Sequence, residues 1–465
     1  MFQSDTAGFL RHDSIDRDDA AVAAAEAAAD RAAAAFWDWS STAPDTRRAL
    51  LHNLADAISD KADDLRQAAA SEIGVAPGWV DFNITVARQV LTTAADLIPL
   101  LADTVHDNPA QGTRSILRRQ PVGVVLGIAP WNGPIVLAVR ALAGPLACGN
   151  TVVLKASEHC PETHRLLVDT LNDAGLPHGV ANVVTNLPDR SEAVVQSLIA
   201  HPAVRRINFT GSTRVGRSVA RMAALHLKRC LLELSGKAPL IVLEDADIDA
   251  AVEAAAFGAF FNQGQICIST ERIIVLNSVA DAFADRLVAR TATLSAADPR
   301  RATAPLGTLI NAEAAQRVRA LIDDAVSKGA ILRIGGEVDG AVMQPAVVDR
   351  VGAQMALYHD ESFGPVASIL RVQDEDEALS IANDTEFGLA AAVHSRDTDR
   401  AMRLADRLET GIVHINGPTV FDDPAMPFGG MKASGYGRFG GPASLDEFTE
   451  LRWIAQHAAG TPHPL

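Results

Sequence analysis

Val122-Gly123-Val124-Val125-Leu126-Gly127-Ile128-Ala129 carries no charge and ends at Pro130-Trp131-Asn132-Gly133. A short apolar run closed by a turn reads as a strand buried on both faces. The apolar segment 134–147 that follows is long enough for a helix. The alternation then repeats, with strands at 151–154, 181–185 and 206–209 and helices at 161–174, 190–200 and 213–225. This order predicts a parallel sheet covered by helices on both faces, with ligands held at the carboxyl ends of the strands.

On the N-terminal side, residues 20–39 and 47–73 keep a 3.6-residue period, separated by the breaker run Ser40-Ser41-Thr42-Ala43-Pro44. Residues 79–101 are expected to form a third helix, 103–111 a polar connection and 113–119 a strand. After Pro239 a second, less regular α/β pattern follows. Asp247 caps a helix to Phe261, 273–275 is a strand, and 280–297, 312–328 and 374–383 are helices. Residues 448–456 read as an exposed strand, which needs a partner.

The chain has 465 residues, about three domains' worth, and 48% of them are hydrophobic and 21% charged, an ordinary globular balance. A net charge of −16 argues against a nucleic-acid surface. No apolar run approaches the roughly 18 residues of a membrane span, and the first residues lack the apolar core of a signal peptide. Cytoplasmic location is the resulting expectation. Cys148, Cys160, Cys230 and Cys267 form no CxxC pair, so free thiols are expected. The 13 histidines show no ligand spacing, so no metal site is expected.

Four local patterns carry chemistry. Phe261-Asn262-Gln263-Gly264-Gln265-Ile266-Cys267 puts a cysteine in a glycine-bearing turn after a helix. It is either a nucleophile facing a cleft or a buried core cysteine. Leu231-Leu232-Glu233-Leu234-Ser235-Gly236-Lys237 ends an apolar strand in an acid. Glu233 is a desolvated general base or a solvated strand end. In Ile128-Ala129-Pro130-Trp131-Asn132 the amide is an oxyanion donor or a turn residue. Phe209-Thr210-Gly211-Ser212-Thr213-Arg214-Val215-Gly216 lies between a strand and a helix, where a pyrophosphate can approach free N–H groups. Gly435-Tyr436-Gly437-Arg438-Phe439-Gly440 matches GxGxxG but has no preceding strand or following helix in this reading, so it is taken as a structural loop.

Taken together and in this order, these motifs resemble the aldehyde dehydrogenase superfamily over roughly residues 33–453. Lys155-Ala156-Ser157-Glu158, Glu361-Ser362-Phe363-Gly364-Pro365, Pro427-Phe428-Gly429-Gly430 and the 34 residues from Glu233 to Cys267 belong to the same likeness. The resemblance implies an α/β fold with a Rossmann-type cofactor domain (1–102 and 122–235), a catalytic domain (236–434) and a small β bridging element (103–121 and 435–465). It makes Cys267 the nucleophile, Asn132 an oxyanion donor and Glu233 the base that activates water. It implies NAD, with NADP possible, held by Ile128, Pro130, Trp131, Lys155, Glu158, Thr210, Gly211, Ser212, Gly216, Leu234, Glu361 and Phe363. Glu158 favours NAD, because a carboxylate accepts from a ribose 2′-OH and repels a 2′-phosphate. Ser235 departs from the glycine usual in the family.

The segments 155–164, 203–213 and 428–441 are most similar to salicylaldehyde, vanillin and benzaldehyde dehydrogenases. An aromatic pocket formed by Gly133, Arg140, Trp79 and Phe428 is implied, with Arg140 either facing a ring substituent or tied in a structural ion pair. A semialdehyde dehydrogenase, with Arg140 on a substrate carboxylate, is the rival within catalysis. A CoA-acylating enzyme fits less well because Glu233 is present. A non-catalytic protein on the same fold is the rival of another class. The partners implied are a small aldehyde and a second copy or more of the chain, as homodimer or homotetramer, with neither nucleic acid nor membrane.

Overall fold

A computed structural model describes residues 19–108 and 113–457. Parts of the reading that touch residues 1–18, 109–112 and 458–465 lie outside it. Five parallel strands form the first lobe, in the order Arg229–Glu233, Val204–Thr210, Val124–Ile128, Thr151–Lys155, Ala181–Val184. The chain winds to one side from Val124–Ile128 and then returns to its other side at Val204–Thr210. The carboxyl ends of these two neighbours therefore diverge, leaving the crevice where doubly wound sheets bind ligands. Every residue of Val124–Ile128 is buried, as expected of a central parallel strand.

The second lobe is a seven-stranded sheet in the order Ile331–Ile334, Ala346–Asp349, Val366–Val372, Thr270–Leu276, Ala238–Val242, Ala390–His394, Ile412–Ile415. All its pairs are parallel except the first. A third, antiparallel sheet joins Thr104–Asn108, Thr113–Pro121 and Thr449–His457. Its outer strand leaves Leu451 and Trp453 exposed.

Several expectations need correction. The single helix expected at 47–73 is two, Pro44–Asp60 and Ala62–Ile73, separated at Lys61. Pro44 opens the first, a position where its missing N–H costs nothing. The polar connection at 103–111 contains the strand Thr104–Asn108. The helix expected at 280–297 ends at Thr291. Gly435–Tyr436 pairs antiparallel with Arg229–Glu233, so it extends the first lobe's sheet and the bridging strand begins only at Thr449. A short helix, Ala443–Phe448, follows the GxGxxG segment, whose backbone meets that of Leu232 and Met426 and packs the lobe. Helix Pro77–Leu97 and its 3-10 extension to Leu101 are apolar and long enough to cross a membrane, although Asp81, Arg88 and Asp96 interrupt the apolar run. Its Trp79, Ile84, Ala87, Leu91 and Ala95 are buried in the core that also holds helix Pro134–Ala147.

Candidate active site

Glu233 is the last residue of its strand, and Asn132 lies just beyond the end of Val124–Ile128. Cys267 comes from the other lobe, three residues ahead of strand Thr270–Leu276. The turn before it is tightly specified. Asn262 and Gln263 both take left-handed backbone conformations, at φ 47° and 56°. Such residues persist only where their surroundings hold them. Here the Gln265 side chain accepts from the Ile310 N–H at 2.9 Å and donates to the Thr308 carbonyl at 3.3 Å. The Asn262 amide donates to the Asn132 carbonyl at 3.1 Å, and Trp79 Nε1 to the same oxygen at 2.7 Å. Asn132 in turn donates one amide proton to the Gln265 carbonyl at 3.0 Å. An amide nitrogen carries two protons, so a second remains to point at a ligand.

Cys267 is half-buried and lines two cavities. One, of about 420 Å³, is walled by Trp79, Phe82, Gly133, Leu137, Arg140, Val420, Phe421, Asp422 and Phe428. The other, of about 760 Å³, is lined by Pro130, Trp131, Thr210, Gly211, Ser212, Glu233, Leu234, Glu361 and Phe363. It shares Pro130 to Trp131 and Thr210 to Ser212 with a longer crevice that reaches Ile128, Lys155 and Glu158. The structure thus brings together all three expected catalytic residues, all four expected pocket residues, and every expected cofactor residue but one. Gly216 is not among the residues lining these cavities. A Cβ there would stand 2.4 Å from Leu234 Cδ2, so this glycine seats Leu234. Ser235 is buried, and its carbonyl accepts from Ser434 Oγ at 2.6 Å, which ties down the strand end after Glu233.

Electrostatics follow from burial. Both carboxylate oxygens of Glu233 are buried, and neither meets the distance and angle of a hydrogen bond to a partner among the described residues. Burial pushes its pKa up, against a downward pull from the neighbouring Cys267 thiol first and then from the charge of Arg140. Burial also raises the Cys267 thiol, and the Glu233 charge raises it further. Glu361 accepts the Gly236 N–H at 3.0 Å and is pushed up to about 7, by burial first and then by the charge of Glu271. Glu158, paired with Lys155, is held down at about 2. Burial alone would raise it, but the hydrogen bond from Lys155 and its charge outweigh that, and Asn186 adds a bond at 3.2 Å.

The crevice fits a nicotinamide dinucleotide. Helix Thr213–Leu225 presents its N-terminus there, capped by Ser212. A Cβ on Gly211 would fall 2.6 Å from the Phe209 ring, so the chain at that point has no room for a side chain. Glu158 and Lys155 supply the polar end suited to a ribose, and Glu361 an acceptor at the other. A thiol, a carboxylate and an amide converging beside such a crevice form a constellation for oxidising a carbonyl carbon.

The aldehyde dehydrogenase family profile matches residues 13–454. The chain belongs to the aldehyde dehydrogenase family. It is 55% identical to the vanillin dehydrogenase of Pseudomonas sp. (strain HR199 / DSM 7063) over 95% of its own length and 90% of that protein's. It is 47% identical to a salicylaldehyde dehydrogenase of Pseudomonas putida, covering 94% of this chain and 90% of that one. The crystal structure of the Pseudomonas putida G7 salicylaldehyde dehydrogenase with salicylaldehyde superposes with a TM-score of 0.93 at 45% identity, covering 96% and 92% of the two chains. As an aldehyde dehydrogenase the chain is an oxidoreductase acting on an aldehyde group, which removes the non-catalytic alternative.

The sequence did not single out Phe82, Val420, Phe421 or Asp422 as pocket residues, nor Asn262 and Gln265 as anchors. Asp422-Asp423-Pro424 reads as an ordinary polar loop. Its one local sign, an acid beside a phenylalanine, is too common to notice. Arg140 proves to be in an ion pair, with Asp422, and at the same time on the pocket wall.

Proposed function

We propose that this aldehyde dehydrogenase oxidises an aromatic aldehyde, of the vanillin, salicylaldehyde or benzaldehyde kind, to its carboxylic acid with NAD. One observation carries the reading: Cys267 lines both a slot walled by ring side chains and the crevice that fits a dinucleotide. In this mechanism the Cys267 thiol gives up its proton to water as its sulfur bonds to the carbonyl carbon. The free proton of the Asn132 amide and the Cys267 N–H donate to the oxyanion, each worth about 3–4 kcal/mol. When bound, the nicotinamide supplies a hydride acceptor beside the adduct carbon, and loss of hydride leaves a thioester. Glu233 then takes a proton from water as the water oxygen bonds to the acyl carbon and the C–S bond breaks.

Glu158 supports NAD over NADP, since a carboxylate already held by Lys155 leaves little attraction for a 2′-phosphate. The ion pair of Arg140 with Asp422 speaks against a succinate semialdehyde enzyme, because a substrate carboxylate there would meet Asp422. The exposed outer strand Thr449–His457, with Trp453, supports self-association as a dimer or tetramer. The test is a panel of benzaldehyde, vanillin, salicylaldehyde, succinate semialdehyde and hexanal, each with NAD and NADP. The highest kcat/KM is expected for an aromatic aldehyde with NAD. Equal or faster turnover of succinate semialdehyde would overturn the substrate assignment.

A further inference from the structure

Arg140 and Asp422 lie 282 residues apart and meet at the wall of the aldehyde pocket. Arg140 Nη2 donates to Asp422 Oδ2, and the two side chains are only 6% and 11% exposed. The guanidinium carbon also sits 4.4 Å from the centroid of the Phe428 ring. The second carboxylate oxygen, Oδ1, is buried and has no hydrogen-bond partner among the described residues. A buried charged acceptor left bare is costly, and such exceptions in folded proteins ask for a reason. Asp422 lines the same pocket as Cys267 and Asn132. Arg140 lies six residues into helix Pro134–Ala147, roughly 9 Å of rise from its start beside Asn132. Its side chain leans back along the helix. The ion pair therefore lies on the wall of this pocket, with its Arg140 backbone nearly two helical turns from the start of the helix beside Asn132.

We infer that Asp422 is a specificity-determining residue whose Oδ1 accepts a hydrogen bond from a hydroxyl group on the substrate ring, meta or para to the aldehyde. This rests on the aromatic reading above and adds the substituent to it. Arg140 fixes the carboxylate and offsets its charge, so that Asp422 accepts from the neutral phenol. An ortho hydroxyl stays beside the carbonyl, out of reach. A methoxy group has no proton to give.

The test compares kcat/KM for 3- and 4-hydroxybenzaldehyde, 4-methoxybenzaldehyde and benzaldehyde in the parent enzyme, in Asp422→Ala, and in the double variant Arg140→Met with Asp422→Leu. The double variant leaves no bare guanidinium and protects against loss of fold. The ratio of the better hydroxybenzaldehyde to benzaldehyde is expected to fall by about 10- to 100-fold in both variants, while the methoxy ratio moves less than about threefold. Where a variant turns over too slowly, calorimetric binding of 4-hydroxybenzamide against benzamide gives the same ratio. An unchanged hydroxyl ratio, with benzaldehyde still oxidised by the parent, overturns the role of Asp422 and leaves the aromatic reading standing. Failure of the parent to oxidise any of the ring aldehydes, while it oxidises hexanal, overturns both.

Discussion

Replacing Gly236 with alanine sets a single methyl group against the backbone of Cys267, the proposed nucleophile. The added Cβ would stand 2.3 Å from the Cys267 carbonyl oxygen. Ordinary contact begins at 3.4 Å, so the two backbones must separate by about 1 Å, a misplacement that costs a positioned reaction roughly 100-fold. Gly236 has no left-handed φ, so alanine brings no backbone strain of its own and the effect is one of crowding. Its N–H also holds Glu361, and the cofactor side moves with it. The expected result is a kcat/KM about 100-fold below the parent, with a stability loss of about 1–3 kcal/mol in urea unfolding. Gly78→Ala is the control. That glycine lies at the start of helix Pro77–Leu97, and nothing stands within 4 Å of its added Cβ. It is expected to leave activity alone and to stabilise by up to about 1 kcal/mol. A Gly236→Ala enzyme within threefold of the parent would show that this contact does not set the position of the sulfur.

Glu233→Gln should release one equivalent of NADH per Cys267 in a burst and then turn over about 10²- to 10⁴-fold more slowly, as followed by stopped-flow absorbance. Burial raises the Glu233 pKa, so turnover of the parent climbs with pH as the carboxylate forms, and this limb should vanish in the variant. Burial pushes Glu361 up to about 7, and only its carboxylate form is proposed to hold the ribose hydroxyls. NAD binding, measured by tryptophan fluorescence, should therefore weaken as pH falls from about 8 to about 6, while Glu361→Gln binds weakly at every pH. Glu158→Ser should raise the NADP to NAD ratio of kcat/KM by about tenfold or more, since Lys155 is freed to meet a 2′-phosphate. An unchanged ratio would remove Glu158 from cofactor choice.

The parallel sheet of the first lobe was legible because its central strand, Val124–Ile128, is buried throughout and carries no polar residue. Thr104–Asn108 escaped for the opposite reason. It lies on a sheet edge with most of its residues exposed, so no alternation marks it. The break at Lys61 was hidden because the apolar stripe runs straight through it, from Leu54 and Ile58 to Leu65 and Ala69. No glycine or proline marks the spot. At the site, Glu233 and Asn132 could be expected at strand ends from the alternation alone. Whether Cys267 faced a cleft or the core depended on Asn262, Gln265 and Thr308, whose bonds span the fold and leave no local period. Asp422 needed a partner 282 residues away before it meant anything.

Glu233 and Asn132 ride on the six-stranded sheet, whereas Cys267 is delivered by the seven-stranded one. Neither half is a weakened enzyme by itself. The proposed reaction centre exists only as long as the halves stay in register, so rate is a gauge of their docking. A compound wedged between the halves, far from the cofactor crevice, would silence the enzyme without competing with either reactant.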